Sequence, residues 1–340
     1  MSLRLFRYEF FCTDQWTVLL RLLALFLSPL YVSLLGAKEH NLPTVQNLVI
    51  PQFNDDGHLS WELHASELKS KDRDSYITKN PILYLFTDQI IELTAKSKAG
   101  EFLLQSGQAH GASFFDVVGN GFSANGNEWE WRNSVAKGRN QMIFKEYGKV
   151  VFSNGLGGIF ASNSGRDGSS CVSGQEDRSQ NLEKNATVPT IAQANYLEFL
   201  STQKNSHLFS LEGNVSIEGD NLFLTCEKIE VLFVQEGNAT SSEIGKISTM
   251  DAKGKVVLRQ GGRISYGDKM FLDVKQGTVL LTGHVRVVDD EWGEASGESV
   301  VLEKGQRRAR VLGGGSTRPR LELPPLPDFG FRKKAKKTAQ

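Results

Sequence analysis

The residues that come closest to chemistry are His58, Glu62 and His64, which share one strand face if the register is regular. Two imidazoles and a carboxylate are metal-ligand types. Yet side chains at i and i+6 of a strand stand roughly 20 Å apart, so the two histidines cannot hold one ion. Asp289, Asp290, Glu291 and Glu294 carry the carboxylates of a glycosidase or cation site. No motif sets a second carboxylate against them, and the group reads as a solvated turn. The chain has no G-x-S-x-G, no P-loop and no paired C-x-x-C. Cys12, Cys171 and Cys226 are too scattered for a disulfide framework or a metal knuckle. They read as unpaired thiols with Cys226 buried in a strand, a Cys171–Cys226 bridge being the alternative outside the cytosol. Asn185, Asn214 and Asn238 match the glycosylation pattern, but such matches are common in a Ser/Thr-rich sequence. The expectation is no catalytic residue, no metal and no cofactor.

What does repeat is architectural. A glycine followed at plus two and plus four by apolar residues occurs as Gly213 with Val215 and Ile217, Gly254 with Val256 and Leu258, and Gly283 with Val285 and Val287. Gly148 with Val150 and Phe152 is a fourth copy. A second pattern pairs a glycine and a polar residue with apolar residues at plus three and plus five. It reads Gly219-Asp220 with Leu222 and Leu224, Gly267-Asp268 with Met270 and Leu272, and Gly297-Glu298 with Val300 and Leu302. Gly126-Asn127 with Trp129 and Trp131 fits it in the first half. Residues two apart in a strand share a face, so each pattern offers two side chains to one interior. The neighbours Asn214, Ser216, Lys255, Arg259, His284 and Arg286 point the other way. Each glycine is expected at a turn or bulge where the chain bends into the next strand. Phe223, Phe271 and Val301 face away from the interior by the same count, which asks for partial cover on the second face.

Strands must position these residues. The chain has 340 residues, 39 basic against 39 acidic, with Gly 33 and Pro 9. Balanced charge gives no field for nucleic acid, and the many glycines with few helical periods point to an all-β protein. Asp56-Gly57 between apolar runs is a hairpin signal. Further strands are expected at 82–86, 90–94, 101–104, 112–118, 129–131 and 150–152. Residues 162–190 lack large apolar side chains and read as a disordered linker. Strands resume in 191–315, and a Pro-rich basic tail occupies 316–340. The spacing of the glycine patterns varies, which argues against a strict solenoid.

Residues 16–37 are apolar with Arg21 as the one charge. At about 1.5 Å per residue they span roughly 33 Å as a helix, enough to cross a bilayer. Arg4, Arg7 and Arg21 outweigh Lys38 and leave residues 1–15 in the cytoplasm. A cleaved signal peptide competes with this reading, but Leu34 and Leu35 stand where small residues would precede the cut. The expectation is a single-pass inner-membrane anchor with the bulk of the chain beyond it.

Ala252 to Val256, Tyr266-Gly267-Asp268, Val279 to Gly283 with Val285, and Gly297-Glu298 give the segment 207–312 its character. It resembles the OstA-like, LptA-type periplasmic proteins of lipopolysaccharide export. The segment from Ile50 to about Phe160, within an LptC-like unit 44–161, resembles the LptC type, which also begins with one transmembrane helix. Known LptC-type proteins are shorter, so an anchored LptC-like unit followed by an LptA-like one is a departure. The resemblance implies an open β-jellyroll whose apolar groove takes the acyl chains of lipid A, with lipopolysaccharide as cargo. It also implies edge-strand pairing with the inner-membrane export transporter and other β-jellyroll bridge proteins. The groove candidates are Val215, Ile217, Leu222, Leu224, Val256, Leu258, Met270, Leu272, Leu281, Val285, Val287, Val300 and Leu302. Burying a chain of about ten methylenes gains on the order of 8 kcal/mol, so carriage needs no catalytic group. The alternative is a membrane-anchored structural or assembly protein whose β-stack binds other proteins only.

Overall fold

The computed structural model describes residues 44–134, 139–156, 188–203, 206–235, 245–291, 293–303, 309–314 and 318–323. The expected anchor, Cys12, Cys171, most of the expected linker and most of the basic tail lie outside these residues. Among the described residues every regular element is a β-strand, and no helix is long and apolar enough to cross a membrane.

Hydrogen bonds join twenty strands into one antiparallel system. In the first half these are β1 (Thr44–Phe53), β2 (Leu59–Ser70), β3 (Ser75–Lys79), β4 (Ile82–Thr87), β5 (Ile90–Ser97), β6 (Ala99–Leu103), β7 (Gln108–Gly111), β8 (Phe115–Gly119), β9 (Phe122–Ser134) and β10 (Arg139–Phe152). The second half continues with β11 (Thr190–Ala194), β12 (Tyr196–Gln203), β13 (Ser206–Gly219), β14 (Leu222–Val234) and β15 (Lys246–Gln260). It closes with β16 (Arg263–Asp273), β17 (Thr278–Asp289), β18 (Gly293–Glu303), β19 (Ala309–Leu312) and β20 (Arg320–Glu322). The Asp56-Gly57 hairpin forms as expected between β1 and β2, with Gly57 at φ +77°.

The register separates this system into two layers. In β2, Trp61–His64 pairs with β4 while Glu67–Ser70 pairs with β3. From there one layer runs β3, β6, β7 and the C-terminal part of β9; the other runs β4, β5, β8 and the N-terminal part of β9. Every long strand from β9 onward contributes one end to each layer. β13, for example, pairs through Ser206–Glu212 with one stretch of β14 and through Val215–Gly219 with another, across a register shift between Glu212 and Val215. Shifts of the same kind interrupt β10, β14, β15, β16 and β17 at mid-length. A bulge bends a strand and raises its twist, so these stacked bulges fold the sheet over on itself.

The glycines mark that fold line, which corrects one expectation. Gly213-Asn214, Gly254-Lys255 and Gly283-His284 do not lead into the next strand; they sit inside β13, β15 and β17 at the change of layer. Both residues of each pair have positive φ, for example +75° and +48° at Gly283 and His284. A left-handed glycine followed by a second left-handed residue turns the strand without ending it. The second pattern covers two structures. Gly219 closes β13 before the Asp220-Asn221 turn, whereas Gly267 and Gly297 lie mid-strand, opposite the bulges.

Both layers turn their apolar sides to one core that runs from Trp61 to Leu302. The two halves share it directly. β10 bonds to both β11 and β12, so strands on either side of the 157–187 segment are neighbours. Thr190, placed by its composition in the linker, instead begins β11 fully buried, and its Oγ1 accepts the Leu156 N–H at 2.9 Å. Of the 112–118 strand only Phe115 onward forms, since 112–114 make a bend.

Candidate functional site

All the groove candidates face the shared interior, and none exposes more than 5 % of its surface. Val215, Ile217, Leu222, Leu224, Val256, Leu258, Val285 and Val287 line the layer that contains β8 and β11. Met270, Leu272, Leu281, Val300 and Leu302 line the layer that contains β12. Register brings them into rows across the strands: Met250 beside Leu272 beside Val279 beside Leu302. Sequence spacing found the inward residues because a strand's period is two, and a slip of one would have reversed every assignment. Their neighbours Asn214, Lys255, Arg259, His284 and Arg286 are exposed as expected, and Ser216 is half-buried.

The residues at plus four lie outside. Phe271 is 44 % exposed and pairs across β17 with Leu280, itself beside Val301. Phe223 is covered in part by the Arg259 guanidinium, 6.0 Å from its ring centre. Arg286 lies in the same way 5.9 Å from the Tyr266 ring, so the cover found over the second face comes from arginine side chains, and the interior is the other face.

Among the described residues the interior wall carries one unsatisfied polar side chain in its second half, the buried Ser265 hydroxyl. At the β18 end the layers diverge around a cleft of about 630 Å³. Val287, Ala295, Ala309, Val311 and Leu321 wall it, and the Arg263–Asp289 ion pair, 3.1 Å, stands at its edge. β19 and β20 there pair with different ends of β18, which leaves the two layers separate at their last strands.

Where the halves meet, the interior is aromatic. Phe122 and Phe152 from one layer pack on Phe199, Phe209 and Phe233 from the other, with Phe122–Phe209 and Phe152–Phe209 centroids 5.0 and 5.1 Å apart. Beside them lies a buried polar group that sequence reasoning missed: Glu92, Ser201 and His207. Ser201 Oγ is 3.2 Å from His207 Nδ1 and donates to Glu92 Oε1 at 3.3 Å, and His207 Nε2 is 3.5 Å from the same oxygen. The one sequence signal was a histidine at an inward position of β13. The set has the membership of a hydrolase triad, but Ser201 is 6 % exposed and bonds to the acid directly. No substrate carbonyl reaches it.

His64 contacts Glu62, His58 lies outside β2, and no group of metal-ligating side chains gathers among the described residues. Asp289 binds Arg263 and Glu294 binds Arg286, both through ion pairs. Cys226 is a free buried thiol, which burial pushes up to about 12.

With this geometry in place, known proteins give a consistent comparison. Residues 194–307, from the end of β11 through β18, match the family model of the LptA/(LptD N-terminal domain) LPS transport protein. The second-half resemblance is to that family. The crystal structure of LptH, the LptA homologous periplasmic component of the lipopolysaccharide transport device from Pseudomonas aeruginosa, is similar at 18% identity. That match covers 35% of this chain and 85% of that chain, with a TM-score of 0.28. No curated protein matches the chain.

Proposed function

We propose that this chain is a periplasmic lipopolysaccharide-export protein, held at the inner membrane by residues 16–37. Its folded-over sheet is an open β-jellyroll in which the acyl chains of lipid A travel between the layers. The observation that carries the reading is the unbroken apolar interior that the first half shares with a second half matching the LPS transport family; we read the first half as an LptC-like unit. Partners at its ends are the export transporter and other bridge proteins of the same fold. Among the described residues β1 has only β2 as a neighbour, and the other terminus of the system is the short pair β19 and β20, so strand edges there are open to pairing at both ends.

The close packing of the interior favours a second reading, a structural stack that binds only proteins. Both readings make opposite demands on one experiment. A photo-crosslinking side chain at Val256, Leu281 or Val285 captures lipopolysaccharide in cells if the interior carries lipid, while the same probe at Lys255, Arg259 or Arg286 does not. Equal capture at both sets, or none at either with the protein folded and exported, leaves the structural stack.

A further inference from the structure

Apolar surface stands open where the described strands end. Leu321 and Leu323 expose 64 % and 63 % of their surfaces, the highest values of any large hydrophobic side chain among the described residues. Leu321 walls the cleft at the β18 end from one layer, and Ala309 and Val311 of β19 wall it from the other. Its volume of about 630 Å³ lies within the range of pockets that enclose compact ligands, about 300–1,000 Å³.

We propose that this cleft is the docking site of the chain's own segment 324–331, Pro-Pro-Leu-Pro-Asp-Phe-Gly-Phe, which closes the mouth of the interior at the β18 end. The segment starts at the wall itself, since β20 supplies Leu321 and ends at Glu322. Six residues take the chain from Leu323 to Phe329, a reach of about 20 Å when extended, so both phenylalanines can turn back over the cleft. A tether this short gives the segment an effective concentration on the order of millimolar, which a free ligand must match. Leu326, Phe329 and Phe331 supply apolar surface of the kind that Val287, Val311 and Leu321 present.

Charge favours the same occupant. β20 is antiparallel to β18 and pairs Glu322 with Glu294, so the chain leaves it beside the β17–β18 turn. Asp289, Asp290, Glu291 and Glu294 gather at that turn against the guanidiniums of Arg263 and Arg286, whereas Arg320 pairs with Glu322 on β20 itself. The run after Phe331, Arg332-Lys333-Lys334-Ala335-Lys336-Lys337, is basic throughout apart from its alanine. Opposite charges therefore draw the tail to this turn, while an anionic lipid headgroup meets the same carboxylates as repulsion. The inference does not depend on what the rest of the interior carries.

Photo-crosslinking of the full-length protein, in cells that make lipopolysaccharide, tests it with benzoylphenylalanine in place of Phe329 or Phe331. The probe should join its own chain, in a species of monomer mass, at peptides that hold Val287, Ala295, Val311 or Leu321. A probe in place of Gln340, beyond the basic run, should join those peptides far less. Val311→Asp, checked for β-sheet by circular dichroism after purification, should lower the yield from Phe329 by about tenfold or more, since it sets a carboxylate in the apolar wall. Lys333→Glu combined with Lys334→Glu should lower it several-fold by repulsion from the acidic turn. Capture of a second copy, of lipopolysaccharide or of strands away from the cleft, or no capture at all, overturns the docking. So does a yield that a folded Val311→Asp leaves unchanged. If Val311→Asp does not fold, an unchanged yield in the double lysine variant overturns it instead.

Discussion

His284 Nδ1 lies 2.9 Å from Asp268 Oδ2, across the bulge at which β17 passes from one layer to the other. Lys255 makes the same kind of contact with Glu227, at 2.7 Å, across the bulge in β15. In both, the second left-handed residue of a glycine pair carries a basic side chain and the opposing strand carries the acid. The fold line is therefore a repeated steric device with a charge pair on its outer side.

The charge pair has a measurable sign. The hydrogen bond that His284 donates to Asp268, and then the Asp268 charge, raise the pKa of His284. A raised value means stability that is present below the ordinary pKa and lost as pH rises through the raised one. Titration of the His284 ring by NMR should place it above the ordinary value, and Asp268→Asn should return it there. Because the pair is exposed, added salt should shrink the difference.

The steric device predicts unequal glycine substitutions. Gly283 is at φ +75°, and a Cβ there would lie 2.8 Å from the Cβ of Asp268. Gly57 is at φ +77° with nothing near it. Gly57→Ala should cost only the left-handed backbone penalty, about 1–2 kcal/mol. Gly283→Ala should cost more, about 2–4 kcal/mol, because a clash adds to the same penalty. Urea unfolding of the two variants side by side makes the comparison, and equal losses would mean that the opposing strand yields freely.

Cutting the chain between 157 and 187 should not part its halves. β10 bonds to β11 and β12, and Phe122 and Phe152 pack on Phe209 of the other half. After limited proteolysis at that segment the two pieces should co-elute in size exclusion without denaturant and separate in it. Separation under native conditions would make the halves independent bodies.

Cys226 should be silent to thiol reagents. Burial pushes the thiol up to about 12, so almost no thiolate exists at pH 8. Mass mapping after maleimide treatment should find Cys226 unmodified in the folded protein and modified in guanidinium. Labelling in the folded state would show that the layers open around β14.

Phe209 is buried at the centre of the aromatic junction, against Phe122, Phe152 and Phe199. Phe209→Ala should destabilise by about 3–5 kcal/mol. Because the core is continuous, the loss should appear in one transition when followed by circular dichroism and by tryptophan emission in a Trp292→Phe background, which confines the emission to the first half. Two separate transitions would deny that the halves are coupled through this residue.

The sequence alone determined which side chains face inward. Val256, Leu258, Val285 and Val287 were legible because an extended chain alternates its faces whatever it packs against, and Phe271 falls outside by the same alternation. The hairpin at Asp56-Gly57 was legible because so few residue pairs make a tight reversal. Tertiary structure decided what each glycine does. Gly219 and Gly267 share a local pattern, yet one ends a strand and the other faces a bulge, because strand register depends on partners far along the chain. It also decided that the halves form one core, since nothing local states that β10 pairs with β11 and β12. The buried group of Glu92, Ser201 and His207 lies furthest from the sequence. Glu92 and Ser201 are 109 residues apart and meet only when the sheet folds over; a contact of that separation comes from the closure of two layers, which no short stretch encodes.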